Sequence, residues 1–142
     1  MSLTESELRV TTEIERQRDA LVSLAADLIE FDTTARDLVD PPREEAALQG
    51  YLAARMATAG AQIDLWEPRP EDLAGSRMVP TGLGFEGRPQ LTALFRSDGR
   101  GQSLLLNGHI DTVSSEPRES WTCDPPWRGA RRPPLRAAAL VT

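Results

Sequence analysis

Apolar side chains recur at helical spacing in the first part of the chain. They follow one another at steps of four, seven, three and four residues, which places them on one face of a helix. Thr4 and Glu7 have the spacing of a capping box. The pattern therefore predicts one long helix over residues 4–31, with an acidic, solvated opposite face. The members of the apolar stripe are Val10, Ile14, Leu21, Leu24 and Leu28.

A second helix is predicted over residues 43–59. Residues 32–34 read Asp-Thr-Thr, which breaks the first helical pattern, and a loop over 32–42 follows. The alanine-rich stretch after this loop has an apolar face, and Gly60 provides the usual end of a helix. The residues predicted on the buried face are Leu48, Tyr51, Leu52 and Met56.

Three short stretches have the pattern of β-strands. Residues 61–66 alternate, with Ile63 and Leu65 expected to face inward, and residues 91–96 form a second candidate after a long loop over 67–89. Residues 103–107 are nearly all apolar, which predicts a central strand joined by a tight turn. The order of elements, two helices followed by three strands, agrees with an α/β fold.

The candidate chemistry lies directly after the apolar run. His109, the single histidine of the chain, precedes Asp111 by two residues. A neutral imidazole is a common zinc ligand, and a nearby carboxylate can fix its tautomer. A lone His-x-Asp pair is more often an ordinary polar pair in a loop, but its position at a predicted strand end favours a metal ligand. Cys123 is interpreted as a passive residue.

Charge and composition exclude several classes of partner. The net charge is −6 over 142 residues, which argues against nucleic acid and against an anionic membrane. A single cysteine fits a reducing compartment, and the first residues lack the features of a secretion signal. We therefore expect a cytoplasmic protein.

Residues 108–113, Gly-His-Ile-Asp-Thr-Val, and residues 121–125, Trp-Thr-Cys-Asp-Pro, carry a family resemblance. They resemble the first metal motif of the acetylornithine deacetylase and succinyl-diaminopimelate desuccinylase family of zinc-dependent metallopeptidases. The likeness runs from residue 21 to residue 124. It implies that residues 1–127 are the N-terminal portion of a three-layer α/β/α zinc-exopeptidase-like catalytic domain with a mixed sheet. It also implies that His109 binds a metal and that Asp111, in the catalytic site, orients it.

The resemblance further implies an amide hydrolase with two divalent metals, zinc or cobalt, acting on an N-acyl amino acid or short peptide. Family members are often dimeric through a domain that this chain lacks. A catalytic zinc needs about three protein ligands, whereas this chain has one histidine and no Glu-Glu pair after it. We therefore expect a fragment that alone neither hydrolyses amides nor holds zinc tightly.

Residues 128–142 depart from the family pattern. They hold four arginines and no acidic residue. One possible set of codons for residues 130–136, read from its second nucleotide, spells the Arg-Asp-Gly-Arg-Leu-Tyr-Gly hairpin expected there, which predicts a frameshift near Arg128. Two alternatives stay open: a non-catalytic binding module that uses the acidic helix or the Arg/Pro tail, and a non-functional remnant that folds only partly.

Overall fold

The computed structural model describes residues 2–34, 41–73, 75–77 and 84–122. These residues separate into two compact units: residues up to 30 with those from 116 onwards, and Phe31–Ser115. The predicted boundary between residues 127 and 128 lies outside the described part, as does the tail. The elements are the helices α1 (Glu5–Arg16), α2 (Arg18–Ile29) and α3 (Glu45–Thr58), the strands β1 (Gln62–Trp66) and β2 (Gln90–Leu94), and short 3-10 turns at Pro70–Leu73 and Arg118–Ser120.

The first unit contains α1 and α2, where one continuous helix was predicted. Gln17 separates them, with φ −95° and ψ 10°. Its N–H is shared between the carbonyl oxygens of Glu13 at 3.1 Å and Ile14 at 3.2 Å. Helical bonding resumes at once, because Leu21 N donates to Gln17 O at 2.9 Å. The interruption is local, and neither glycine nor proline marks it in the sequence.

The predicted capping box at the start of α1 is confirmed. Glu7 N donates to Thr4 Oγ1 at 3.3 Å, and Thr4 N donates to Glu7 Oε2 at 2.6 Å. The apolar stripe behind the box is less buried than predicted: Val10 is 59% and Ile14 54% exposed. Neither α1 nor α2 contains a buried residue.

Helix α3 in the second unit agrees with its prediction to within two residues at each end. Leu48 is 5% exposed, and the other three residues of the predicted face are half-buried. The ring of Tyr51 lies 5.6 Å from that of Phe31, centroid to centroid. Gly60 follows the helix with φ 93°, a left-handed conformation that residues with a Cβ rarely adopt.

Strands β1 and β2 form an antiparallel pair on which α3 packs. Both strands lie within two residues of their predicted ends. The predicted alternation is confirmed for Ile63, which is half-buried opposite Ala93. Leu65 was predicted inward but is 44% exposed. A single helix on a two-stranded sheet does not cover all of the side chains on the sheet, which leaves Leu65 partly exposed.

The prediction of a central strand over residues 103–107 is wrong. These residues form no strand, and Leu104, Leu105 and Leu106 are 82%, 89% and 82% exposed. An apolar run becomes a strand only where neighbours accept its backbone hydrogen bonds, and neither described strand pairs with it. The turn before it keeps a bond from Gly99 N to Ser97 Oγ at 3.1 Å but closes no hairpin.

The structure thus supports a mixed α/β fold of helices with a small antiparallel sheet. The mixed sheet and the three-layer arrangement implied by the family resemblance are finer statements that the described elements do not establish. Within the described ranges, no helix combines the length and the apolar character needed to cross a bilayer.

Candidate metal centre

The imidazole of His109 lies on the surface of the second unit, and its Nδ1 atom is hydrogen-bonded to Asp111. Its side chain is 81% exposed. Nδ1 lies 2.8 Å from the carbonyl oxygen of Asp111 and 3.2 Å from Asp111 Oδ1. Both oxygens are acceptors, so Nδ1 must carry the hydrogen in this arrangement. The lone pair of the neutral ring is then on Nε2, which is the nitrogen available to a metal ion.

The backbone around Asp111 is held by a segment far away in the sequence. Thr33, 2% exposed, donates its hydroxyl to Ile110 O at 2.7 Å. Its carbonyl accepts Thr112 N at 3.0 Å, and Thr34 forms an isolated parallel bridge with Thr112. The sequence predicted that His109 follows a buried strand. In the structure it instead precedes the bridge between Thr34 and Thr112.

Asp32 connects residues 32–34, here called the Thr33 segment, to the start of α3 through hydrogen bonds. Its backbone N–H donates to Glu44 Oε2 at 2.6 Å, and Glu44 N donates back to Asp32 O at 3.2 Å. The guanidinium of Arg43 pairs with the Asp32 carboxylate. Burial alone would raise the pKa of Asp32, but hydrogen bonds from Thr34 and the charge of Arg43 outweigh it and lower the pKa below 3.8.

Of the second stretch of the predicted motif, residues 121–125, the structure describes Trp121 and Thr122. Trp121, 37% exposed, belongs to the first unit. Cys123, Trp127 and the Asp-Pro pair at 124–125 lie outside the described residues. No group of three or more His, Cys, Asp or Glu side chains able to hold a metal ion occurs in the part of the chain that the structure describes.

The donor chemistry fits a metal ion at one position. Ligating histidines commonly donate the other ring N–H to a carboxylate or a carbonyl oxygen, and His109 does both through Asp111. A complete catalytic zinc site would need further ligands. His109 thus meets the requirement for one ligand, and the described residues do not supply a full set.

Sequence reasoning missed Thr33, Asp32 and Arg43 as parts of this site. It interpreted residues 32–34 only as the break after a helix. Thr33 and Ile110 are separated by 77 positions, and no periodicity or motif spacing connects residues so far apart. The available signal was weak: an Asp-Thr-Thr run enriched in side chains that bond to nearby backbone.

Comparison with known proteins gives distant relatives over most of the chain. It is 29% identical over 112 residues to N-formyl-4-amino-5-aminomethyl-2-methylpyrimidine deformylase of Bacillus subtilis (strain 168), which covers 79% of this chain and 22% of that protein. The deformylase of the same name from Halalkalibacterium halodurans is 24% identical over 114 residues, with 79% and 22% coverage. Succinyl-diaminopimelate desuccinylase of Leptothrix cholodnii is 33% identical over 104 residues, with 73% and 22% coverage.

These distant relatives are hydrolases. The comparison supports a hydrolase-like origin for this chain, as its sequence motif predicted. The chain spans about 22% of the length of the curated relatives that it matches. No protein-family model matches it.

Proposed function

We propose that this chain carries the first metal-ligand segment of a metal-dependent hydrolase that cleaves the amide bond of an N-acyl amino acid or short peptide. The observation that carries the proposal is the imidazole of His109, exposed and bonded through Nδ1 to Asp111. The distant relatives of the chain are named as a deformylase and a desuccinylase. Both names denote removal of an acyl group, formyl or succinyl, which agrees with cleavage of an amide bond.

Each residue has a defined part in this proposal. His109 binds a divalent ion, zinc or cobalt, through Nε2, and Asp111 holds the ring in the tautomer that leaves this nitrogen unprotonated. When bound, such an ion activates water and polarises the scissile carbonyl. The described residues contain no group of three or more His, Cys, Asp or Glu side chains that could hold a metal ion, so they do not supply the remaining ligands of such a site.

Isolated, the chain is proposed to bind zinc weakly and to be inactive. A single imidazole in water, 81% exposed, binds a divalent ion without the help of co-ligands or of a dry cavity. Incubation with N-formyl and N-succinyl amines and zinc should therefore release no free amine. Turnover that disappears in His109→Gln would contradict this expectation.

A zinc titration of the ¹⁵N-labelled chain tests the metal-ligand role. His109 is the single histidine, so its two ring nitrogen resonances need no assignment against other rings. We expect zinc to move the Nε2 resonance far more than that of Nδ1. The control Asp111→Asn should weaken the effect without abolishing it.

Two results would overturn the proposal. The first is a ring whose nitrogen resonances do not respond to zinc at millimolar concentration. The second is a response at Nδ1 instead of Nε2, because Nδ1 is the nitrogen that faces Asp111. Tight zinc binding by calorimetry would keep the metal role and remove the claim that the chain alone lacks a complete site.

A further inference from the structure

Thr33 is a buried loop residue that is hydrogen-bonded to a distant part of the chain. It is 2% exposed, and it bonds to the chain on both sides of Asp111. Its hydroxyl reaches the carbonyl oxygen of Ile110, the residue before Asp111, at 2.7 Å. Its carbonyl accepts the N–H of Thr112, the residue after Asp111, at 3.0 Å. A single buried side chain and its own backbone thus hold both neighbours of the residue that bonds to His109.

The hydroxyl of Thr33 has a specific role in this arrangement. A buried hydroxyl without a partner is unfavourable, so its bond to Ile110 O fixes the distance between the two segments. Valine has nearly the same shape but would leave Ile110 O without this donor. Serine would keep the donor and lose only a methyl group. The two substitutions therefore separate the hydrogen bond from packing.

The Thr33 segment is itself anchored to a regular element. Asp32 and Glu44 exchange backbone and carboxylate hydrogen bonds at the start of α3, and Arg43 pairs with the Asp32 side chain. The side chains of Arg43 and Asp32 are only 22% and 15% exposed. Helix α3 packs on β1 and β2. The support for Asp111 therefore extends to the most regular part of the second unit.

We propose that Thr33 is a positioning residue for the His109 imidazole. By fixing Ile110 and Thr112, it holds the Asp111 carbonyl at the distance at which it accepts the Nδ1 hydrogen. The ring then keeps its metal-binding nitrogen, Nε2, unprotonated. The metal-binding role of Nε2 rests on the proposed function. The tautomer of the ring does not, because it can be measured with no metal present.

The test is the ring tautomer of His109 in ¹⁵N-labelled protein at alkaline pH, where a histidine ring is neutral. The wild type and Thr33→Ser should both show mainly the Nδ1–H form. In Thr33→Val the ratio of Nδ1–H to Nε2–H should fall about two- to tenfold, the range for the net loss of one hydrogen bond. Rescue by serine is a signature that a purely space-filling role of Thr33 would not produce.

A control separates this effect from unfolding. The amide resonances of α3, β1 and β2 should keep their positions in Thr33→Val, since Leu48 and the strand pairing are untouched. Should that variant fail to fold, the wild type still tests the premise, because a ring that is mainly in the Nε2–H form would overturn the inference. An unchanged tautomer ratio in folded Thr33→Val would also overturn it.

Failure of this inference differs from failure of the proposed function. If the tautomer follows the Thr33 variants as expected and zinc moves neither ring nitrogen, Thr33 positions a ring that is not a metal ligand. If zinc moves Nε2 equally in wild type and Thr33→Val, with equal tautomer ratios, the metal role stands and Thr33 has no part in it.

Discussion

Residues 104–106 and residues 110–112 are close in the sequence and differ in how the second unit holds them. The three leucines of the first stretch are 82–89% exposed. The second stretch is bonded through Ile110 O and Thr112 N to the buried Thr33. The apolar stretch has the stronger sequence pattern, yet the polar one is anchored. The comparison shows that the segment after His109 is held by hydrogen bonds to the buried Thr33, and that no strand directly precedes it.

Replacing a packed leucine and an exposed one should give the largest contrast. Leu48 is 5% and Leu105 89% exposed. Leu48→Ala should lower the free energy of unfolding by about 2–5 kcal/mol, because it removes buried methyl groups and leaves a cavity. Leu105→Ala should change it by less than about 0.5 kcal/mol, as expected at the surface. Urea titrations of both variants measure the difference; equal losses would show that Leu105 is packed in solution.

The contrast between Leu48 and Leu105 also separates what could be predicted from the sequence from what could not. The α3 face around Leu48, the approximate ends of β1 and β2 and the Thr4 capping box follow from local periodicity and cap chemistry, and the structure confirms them. The exposed leucines at 104–106 could not be foreseen, because burial of an apolar run depends on partners elsewhere in the chain. The bond from Thr33 to Ile110 spans 77 positions, beyond the reach of any local pattern.

The anchor of the Thr33 segment should respond to acid. The pKa of Asp32 is lowered in the folded state. Ionised Asp32 therefore adds stability that is present at pH values above its ordinary pKa of 3.8 and is lost as the pH falls below that value. At neutral pH Asp32→Asn should cost about 1.5–3 kcal/mol, the range for hydrogen bonds to a charged group. Unfolding free energies of wild type and variant should converge as the pH is lowered through this value.

An exposed carboxylate provides the matched control for Asp32. Asp72 also pairs with an arginine, Arg69, at 2.8 Å, but its side chain is 52% exposed. Solvent and salt screen such a pair, so Asp72→Asn should leave the unfolding free energy nearly unchanged at moderate ionic strength. A pH dependence of equal size in both variants would contradict the role given to burial at Asp32.

The smallest effect is expected in the first unit. Thr4 caps α1, with its hydroxyl accepting Glu7 N at 3.3 Å, and Thr4→Ala should cost about 1 kcal/mol of local helix stability. Faster amide hydrogen exchange over α1, with unchanged exchange in α3, measures it. Equal acceleration in both helices would show that the cap stabilises more than its own helix.

A cobalt titration of the ¹⁵N-labelled chain tests most directly whether the loop anchored by Thr33 presents a metal ligand. The paramagnetic ion broadens amide resonances near its site. The account predicts that residues 108–112 broaden first, and that His109→Gln removes this effect while the acidic helix α1 stays unaffected at the same cobalt concentration. Broadening that begins at the carboxylates of α1, or that is unchanged in His109→Gln, would contradict it.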